Sequence, residues 1–258
     1  MTATLLIAPH PDDEVLGGSA ILRNEPVTVV HVTDGVPPWI DARERSAVRS
    51  ARRAECGRAW QTLSADVECV QLGYPDLRAW QSVEELATSL GEVALTSTAE
   101  RVFLPAYQRG HPDHDATYLA GALAAESLAG KGLDWRVYGL YGLDISRRLR
   151  FGWLPAEFGG AVRRGDDDLL SVKGQALRQF TSQLWPDSAL DRWLAHPSPE
   201  EFAPLPRRWR RIPAGPSFYD EELGFARHGA GAAVVEATFA PVLAELCPGG
   251  DRAQNLAP

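Results

Sequence analysis

The sequence predicts an α/β fold: a single domain with a Rossmann-like, mostly parallel sheet and helices on both faces. Three observations carry that expectation. Short β-branched or apolar runs alternate with longer segments whose apolar residues recur at helical spacing. The order is β-α-β-α, which calls for crossover helices and therefore parallel strands. The chain is long enough for one sizeable core, with 258 residues of which 45% are hydrophobic.

In chain order, residues 4–8 read as a strand and 12–23 as a helix. The run VTVVHVT at 27–33 is a second strand, closed by Asp34 and Gly35, and a long helix follows near 42–63, with Ala47, Ala51, Ala54 and Leu63 on one period. Strand 68–72, helix 82–96, strand 101–105 and helix 112–128 continue the alternation, and WRVYGLYGL at 135–143 reads as one more strand. Beyond it the pattern blurs. A helix near 168–184 carries Leu169, Val172, Ala176, Leu177 and Phe180 at helical spacing, between stretches 144–166 and 185–218 that are rich in Arg, Trp, Pro and Gly. These stretches are expected to be loops that cover a site, within a domain whose core spans about 1–185 and whose specificity region spans about 186–258.

Composition removes several function classes. A net charge of -8 and a pI near 5.3 disfavour a phosphate-backbone partner, so no nucleic acid is expected. The N-terminus lacks the basic start of a signal peptide, and no apolar run approaches the roughly 20 residues of a membrane span, so a cytoplasmic location off the membrane is expected. Cys56, Cys69 and Cys247 form no C-x-x-C pair, which speaks against a disulfide framework or a thiolate zinc site.

Two segments echo each other: HPDD at 10–13 and HPDH at 111–114, each after an apolar strand. Proline favours the first helical position and holds the residue before it out of the helix. Helices are therefore expected to start at Pro11 and Pro112, with His10 and His111 at their caps and Asp13 and His114 one turn on, on the same side. Acidic residues in a first turn also suit the helix dipole, which alone would explain one copy. Two copies at the carboxyl ends of strands in one parallel sheet bring His10, Asp13 and His114 together as two nitrogens and one oxygen for a divalent metal. Three protein ligands leave an open position, as in catalytic zinc sites, where the metal acidifies a water and polarises a carbonyl. Asp12 is then the general base, His111 stabilises the oxyanion, and Asp113 orients the His111 imidazole and favours its protonated form. That set suits amide hydrolysis.

With those motifs the sequence resembles the PIG-L/LmbE-type zinc-dependent de-N-acetylases, whose marks are a strand followed by A-H-P-D-D-E and a later H-P-D-H; here Pro9 replaces the alanine. TDG at 33–35, RRAE at 52–55, LGYPD at 72–76 and KGQALRQFTSQ at 173–183 are similar to further family landmarks, so the likeness covers about 1–185. The resemblance implies His10, Asp13 and His114 as metal ligands, Asp12 as base, His111 and Asp113 as its partners, and zinc or, in a cell, ferrous iron as cofactor. It also implies that Arg52 and Asp76 bind substrate, and it places Arg109 where some relatives carry a tyrosine near the oxyanion. Phe180 departs from the family pattern, standing where a histidine is usual. The implied substrate is a small N-acylated amino sugar or its conjugate, and the family admits homo-oligomers.

Other features have plainer readings. His31, in an apolar strand, reads as a core histidine, and His196 and His228 as surface ones. Glu14 reads as a first-turn carboxylate paired to backbone, and Gly17 and Gly18 as close packing of helix on sheet. SRRLR at 146–150 and RRWRR at 207–211 read as solvated loops, with anion binding the sharper alternative. Trp39, Trp153, Trp185, Trp193 and Trp209 read mostly as anchors, with stacking on substrate the alternative. Two rival functions use the same residues. Two histidines and a carboxylate also make the facial triad of non-haem iron oxygenases, and a binding module could keep the sheet without catalysis.

Overall fold

The computed structural model describes residues 3–206, 229 and 231–247. The alternation runs β1 (Ala3–Ala8), α1 (Asp13–Leu22), β2 (Val27–Thr33), α2 (Arg45–Leu63), β3 (Val67–Tyr74), α3 (Val83–Thr96), β4 (Ala99–Pro105), α4 (Pro112–Ser127) and β5 (Asp134–Tyr138). After it come β6 (Tyr141–Leu143), β7 (Leu149–Phe151), β8 (Val162–Arg164), α5 (Asp167–Leu177), α6 (Ala189–Ala195), β9 (Glu200–Pro204) and α7 (Ala232–Leu246). The main sheet has seven strands in the order β3-β2-β1-β4-β5-β9-β8, and β6 and β7 form a separate hairpin. Strands β3, β2, β1, β4 and β5 are parallel, while β9 runs antiparallel to both β5 and β8.

The strand order reverses direction between β1 and β4, neighbours in register from Thr4↔Arg101 to Leu6↔Phe103. From β1 the chain winds out to β2 and β3, and from β4 it winds the other way to β5. The loops leaving β1 and β4 therefore diverge and leave a crevice between them, the usual ligand position in an open α/β sheet. The two His-Pro-Asp segments occupy those loops.

Because side chains alternate along a strand, β1 serves two cores. Leu5 and Ile7 join residues of α3, α4 and α7 on one face, and Leu6 and Ala8 join α1, α2, α5 and α6 on the other. Helix α1 lies close on the sheet. A Cβ on Gly17 would stand 2.6 Å from Tyr138 Cε2 and 2.8 Å from the Gly139 carbonyl oxygen, and one on Gly18 would stand 2.7 Å from Leu6 Cδ2. The packing reading of both glycines is the correct one.

The structure corrects four expectations. Residues 135–143 form two strands in different sheets, because the chain turns at Gly139 and Leu140, where Gly139 packs against the backbone of Gly152 and Trp153. The helix expected over 168–184 ends at Leu177, and Thr181–Gln183 form a short 3-10 turn; Glu55 holds that turn, its carboxylate accepting from the Thr181 and Ser182 hydroxyls and the Ser182 N–H. Stretches 144–166 and 185–218 are not all loop, since β7, β8, α6 and β9 lie in them. The core does not stop near 185 either: Phe202, Ala203, Phe239 and Val242 are buried in it. Segment 207–211, Trp209 and His228 lie outside the described residues. Among the described residues no helix is long and apolar enough to cross a membrane, and Cys56 and Cys69 are free thiols.

Candidate metal centre

The two crevice loops bring three donor atoms to one point. His10 Nδ1 lies 3.1 Å from Asp13 Oδ2 and 3.2 Å from His114 Nε2, and His114 Nε2 lies 3.1 Å from Asp13 Oδ2. All three residues are buried. A triangle with such edges is one face of a tetrahedron whose centre-to-corner distance is about 2 Å, the length of zinc bonds to nitrogen and carboxylate oxygen. The donor chemistry agrees: two imidazole nitrogens and a carboxylate oxygen point at each other, an arrangement a shared cation satisfies better than protons do. His111 also lies within metal-ligand reach of His10 and His114. Its Nδ1, however, accepts the Asp113 N–H at 3.1 Å as the cap of α4, so its other nitrogen, Nε2, carries the proton of a neutral ring.

The far side of His10 is held by carboxylates. Its Nε2 lies 3.2 Å from Asp76 Oδ1 and 3.4 Å from Asp113 Oδ2, the support that metal-bound histidines commonly have. Burial works against a charged His10, and these carboxylates with Asp13 outweigh it, so its pKa lies well above the ordinary value. Burial likewise works against ionised Asp13, and His114 and His10 outweigh it, keeping the carboxyl ionised far below the usual range. His111 is pushed the other way, well below its ordinary value, by burial and by the positive potential of His10 and His114.

Asp12 stands apart from the triangle in backbone and in charge. Its φ of 138° lies in the region L-residues avoid, so α1 begins at Asp13 and not at Pro11 as expected. Two side chains hold the strained segment. Glu14 Oε2 accepts the Asp12 N–H at 3.0 Å, Arg52 Nη2 donates to Asp12 Oδ2 at 3.1 Å and to the Pro11 carbonyl, and Arg52 Nη1 donates to the Gly35 carbonyl at 3.2 Å. Burial lifts the Asp12 carboxyl to about 8, the repulsion of Asp13 adding to it and Arg52 opposing it.

Two sequence expectations meet a different geometry here. Asp113 does not orient His111 through its side chain: that carboxylate accepts the N–H groups of Leu77 at 2.7 Å and Trp80 at 3.2 Å and faces His10. Arg109 does not reach the cleft. At φ 54° its guanidinium turns outward and pairs with Glu236 of α7. Arg52 and Asp76 do line the cleft, a cavity of about 360 Å³ walled also by Trp39, Tyr141, Trp185 and Ser188.

Residues 5–125 match the family model described as PIG-L, GlcNAc-PI de-N-acetylase. Through that stretch, a little under half of the chain, the sequence is similar to the PIG-L family. The match supports an N-deacetylase, and the buried cluster at His10 is its candidate metal site. Solved structures share the fold. The zinc-inhibited form of teicoplanin deacetylase is 21% identical with a TM-score of 0.58, over 79% of this chain and 97% of that one. N,N'-diacetylchitobiose deacetylase from Pyrococcus horikoshii is 20% identical with a TM-score of 0.60, over 80% and 84%. The A40926 pseudoaglycone deacetylase is 24% identical with a TM-score of 0.54, over 80% and 98%. No curated protein matches the sequence.

The cluster also rests on residues that sequence reasoning gave smaller parts. Glu14 is more than a backbone partner: its carboxylate accepts from Trp60 Nε1 at 3.0 Å and meets His31 Nε2 at 3.1 Å. His31 is a core histidine, as expected, but one in a buried ion pair. A histidine in β2 facing the same core as a first-turn glutamate of α1 was the available signal. Lys173, from the family landmark in α5, donates to the Leu16 carbonyl at 2.6 Å and to Glu200 at 2.8 Å, and Glu200 in turn accepts from the N–H groups of Ser19 and Ala20. Nothing local to Glu200 announces that role.

Proposed function

We propose that this protein is a zinc-dependent hydrolase that removes an N-acyl group, acetyl in the simplest case, from an amino sugar or an amino-sugar conjugate. The observation that carries the reading is the triangle of His10 Nδ1, Asp13 Oδ2 and His114 Nε2, with the Asp12 carboxylate on the adjoining residue and in the same cleft. Those three residues would hold the zinc. Bound there, zinc supplies a Lewis acid for the acyl carbonyl and acidifies a water.

The chain's own residues do the rest. Asp12 takes the proton of the attacking water and returns it to the departing amine, and its carboxyl, lifted by burial, suits both halves of that transfer. His111, neutral with its proton on Nε2, donates to the carbonyl oxygen as charge builds there. Arg52 steadies Asp12 through the shared hydrogen bond, and with Asp76 it offers polar contacts to sugar hydroxyls along the cleft. Trp39 and Trp185, 56% and 46% exposed, give the cleft flat apolar walls that suit a sugar ring or a bulkier conjugate.

The test is amine release, read by fluorescent labelling, from a panel of N-acetylated sugars and conjugates with zinc-loaded protein. Release by the wild type and its loss in Asp12→Ala, with metal content unchanged, supports the reading. Silence of the wild type across the panel with zinc bound counts against it, and oxygen-dependent turnover would move the assignment to the facial-triad oxygenases.

A further inference from the structure

A second cavity, of about 370 Å³, opens away from the metal cleft and shares none of its lining residues. Arg150 of β7, Arg163 of β8, Arg192 of α6 and His196, which ends α6, line it from separate segments. One carboxylate, Glu201, is among the lining residues, and its Oε2 already accepts the Leu154 N–H at 2.9 Å. Arg150 Nη1 makes a salt bridge with Asp144 Oδ2 at 3.6 Å, longer than a hydrogen bond. In a chain of net charge -8, such a convergence of guanidinium groups is a local reversal of sign.

The rest of the cavity is apolar and firmly built. Its floor carries Phe151, Trp153 and Pro199. Pro199 is clamped between two glycines of positive φ: a Cβ on Gly152 would come within 3.1 Å of the Pro199 carbonyl carbon, and one on Gly165 within 2.7 Å of Pro199 Cα. Trp153 is fixed by its carbonyl, which accepts from Gln108 Nε2 at 2.8 Å, while its indole Nε1 is buried with no acceptor among the described residues.

We propose that this cavity binds the phosphate group of a small phosphorylated ligand, at a site separate from the deacetylase centre. Guanidinium forks from different strands and a helix match a dianion with several oxygens better than a single carboxylate, which one fork saturates. The Phe151–Trp153–Pro199 floor receives an apolar or ring portion attached to that phosphate. The cavity meets the metal cleft through one pair of ring contacts, with Phe151 5.9 Å from Tyr141 and Tyr141 5.1 Å from His114.

Calorimetric titration of the zinc-loaded protein with inorganic phosphate and with phenyl phosphate, compared with Arg150→Ala/Arg163→Ala, tests the proposal. Both arginines are exposed, so the double variant is expected to keep the wild-type melting temperature. Saturable binding of phosphate is expected, weakened at least about tenfold in the double variant and weakened further by salt. Tighter binding of phenyl phosphate would name a phosphate ester as the ligand, and equal binding would name free phosphate. No saturable binding to the wild type, or equal affinity in wild type and double variant, would overturn the proposal, whatever the outcome of the deacetylation assay.

Discussion

The two His-Pro-Asp segments share three residues and a preceding strand, yet they start their helices in different ways. At the second, His111 is extended (φ -146°, ψ 135°), Pro112 takes the first helical position, and the Asp113 N–H closes on the His111 ring. At the first, the helix is deferred to Asp13 and Asp12 takes a φ of 138°. The difference follows from what each must present. The second segment turns two imidazoles to one side of a helix, which regular geometry permits. The first must send consecutive carboxylates to different tasks, and a regular helical start would fan Asp12 and Asp13 only about 100° apart around one axis. Strain of this kind costs on the order of 1–3 kcal/mol and persists only when neighbours hold it. Glu14 and Arg52 are those neighbours.

The comparison can be broken or sharpened by substitution. The largest effect is expected where the segments meet: Asp13→Ala or His114→Ala each removes a corner of the triangle, so metal content after dialysis and amine release should both fall to background. Asp12→Ala should retain the metal and lower kcat by about 100- to 10,000-fold. Glu14→Ala leaves the Asp12 N–H, Trp60 Nε1 and His31 without their buried acceptor, and should cost roughly 3–5 kcal/mol in a denaturant titration. Replacing Asp12 by Gly instead of Ala should recover about 1–2 kcal/mol of stability in an equally inactive protein, because glycine accepts the positive φ. The same pair of substitutions at His111 should show no such recovery.

The smallest effect is a slope with pH. Burial lowers the pKa of His31, but the Glu14 carboxylate outweighs it and raises the ring from 6.5 to about 9. A group raised on folding stabilises the fold fully below its unfolded value, so this contribution is complete below about 6.5 and is lost as pH rises through about 9. Chemical denaturation of wild type and His31→Gln across that window should converge toward high pH.

Much of this was legible before any coordinates. The strand and helix alternation through residue 128 holds to within three residues at every boundary, because each element repeats an apolar period long enough to be read. The triangle was legible because both halves announce themselves locally, with Pro fixing where each histidine stands. What failed to show was what depends on partners far along the chain. Arg109 was placed by its nearness to His111, but a positive φ turned it toward Glu236. Asp113 was paired with its neighbour, whereas Leu77 and Trp80 offered N–H groups from a loop more than thirty residues away. The short strands β7 to β9 have too few residues to display alternation and so read as loop, while β6 reads as the end of a single strand over 135–143.

The buried Lys173–Glu200 pair has a consequence for the order in which the protein is made. Helix α1 carries Asp13 at its start, and Glu200 fastens the Ser19 and Ala20 N–H groups near its end while Lys173 fastens the Leu16 carbonyl. His10, Asp13 and His114 all precede Glu200 in the chain, so the helix that aims Asp13 lacks the Glu200 bonds at its end until residue 200 has followed. A nascent chain halted at residue 185 would hold His10, Asp13, His114 and Lys173 and still lack Glu200, which secures the end of α1.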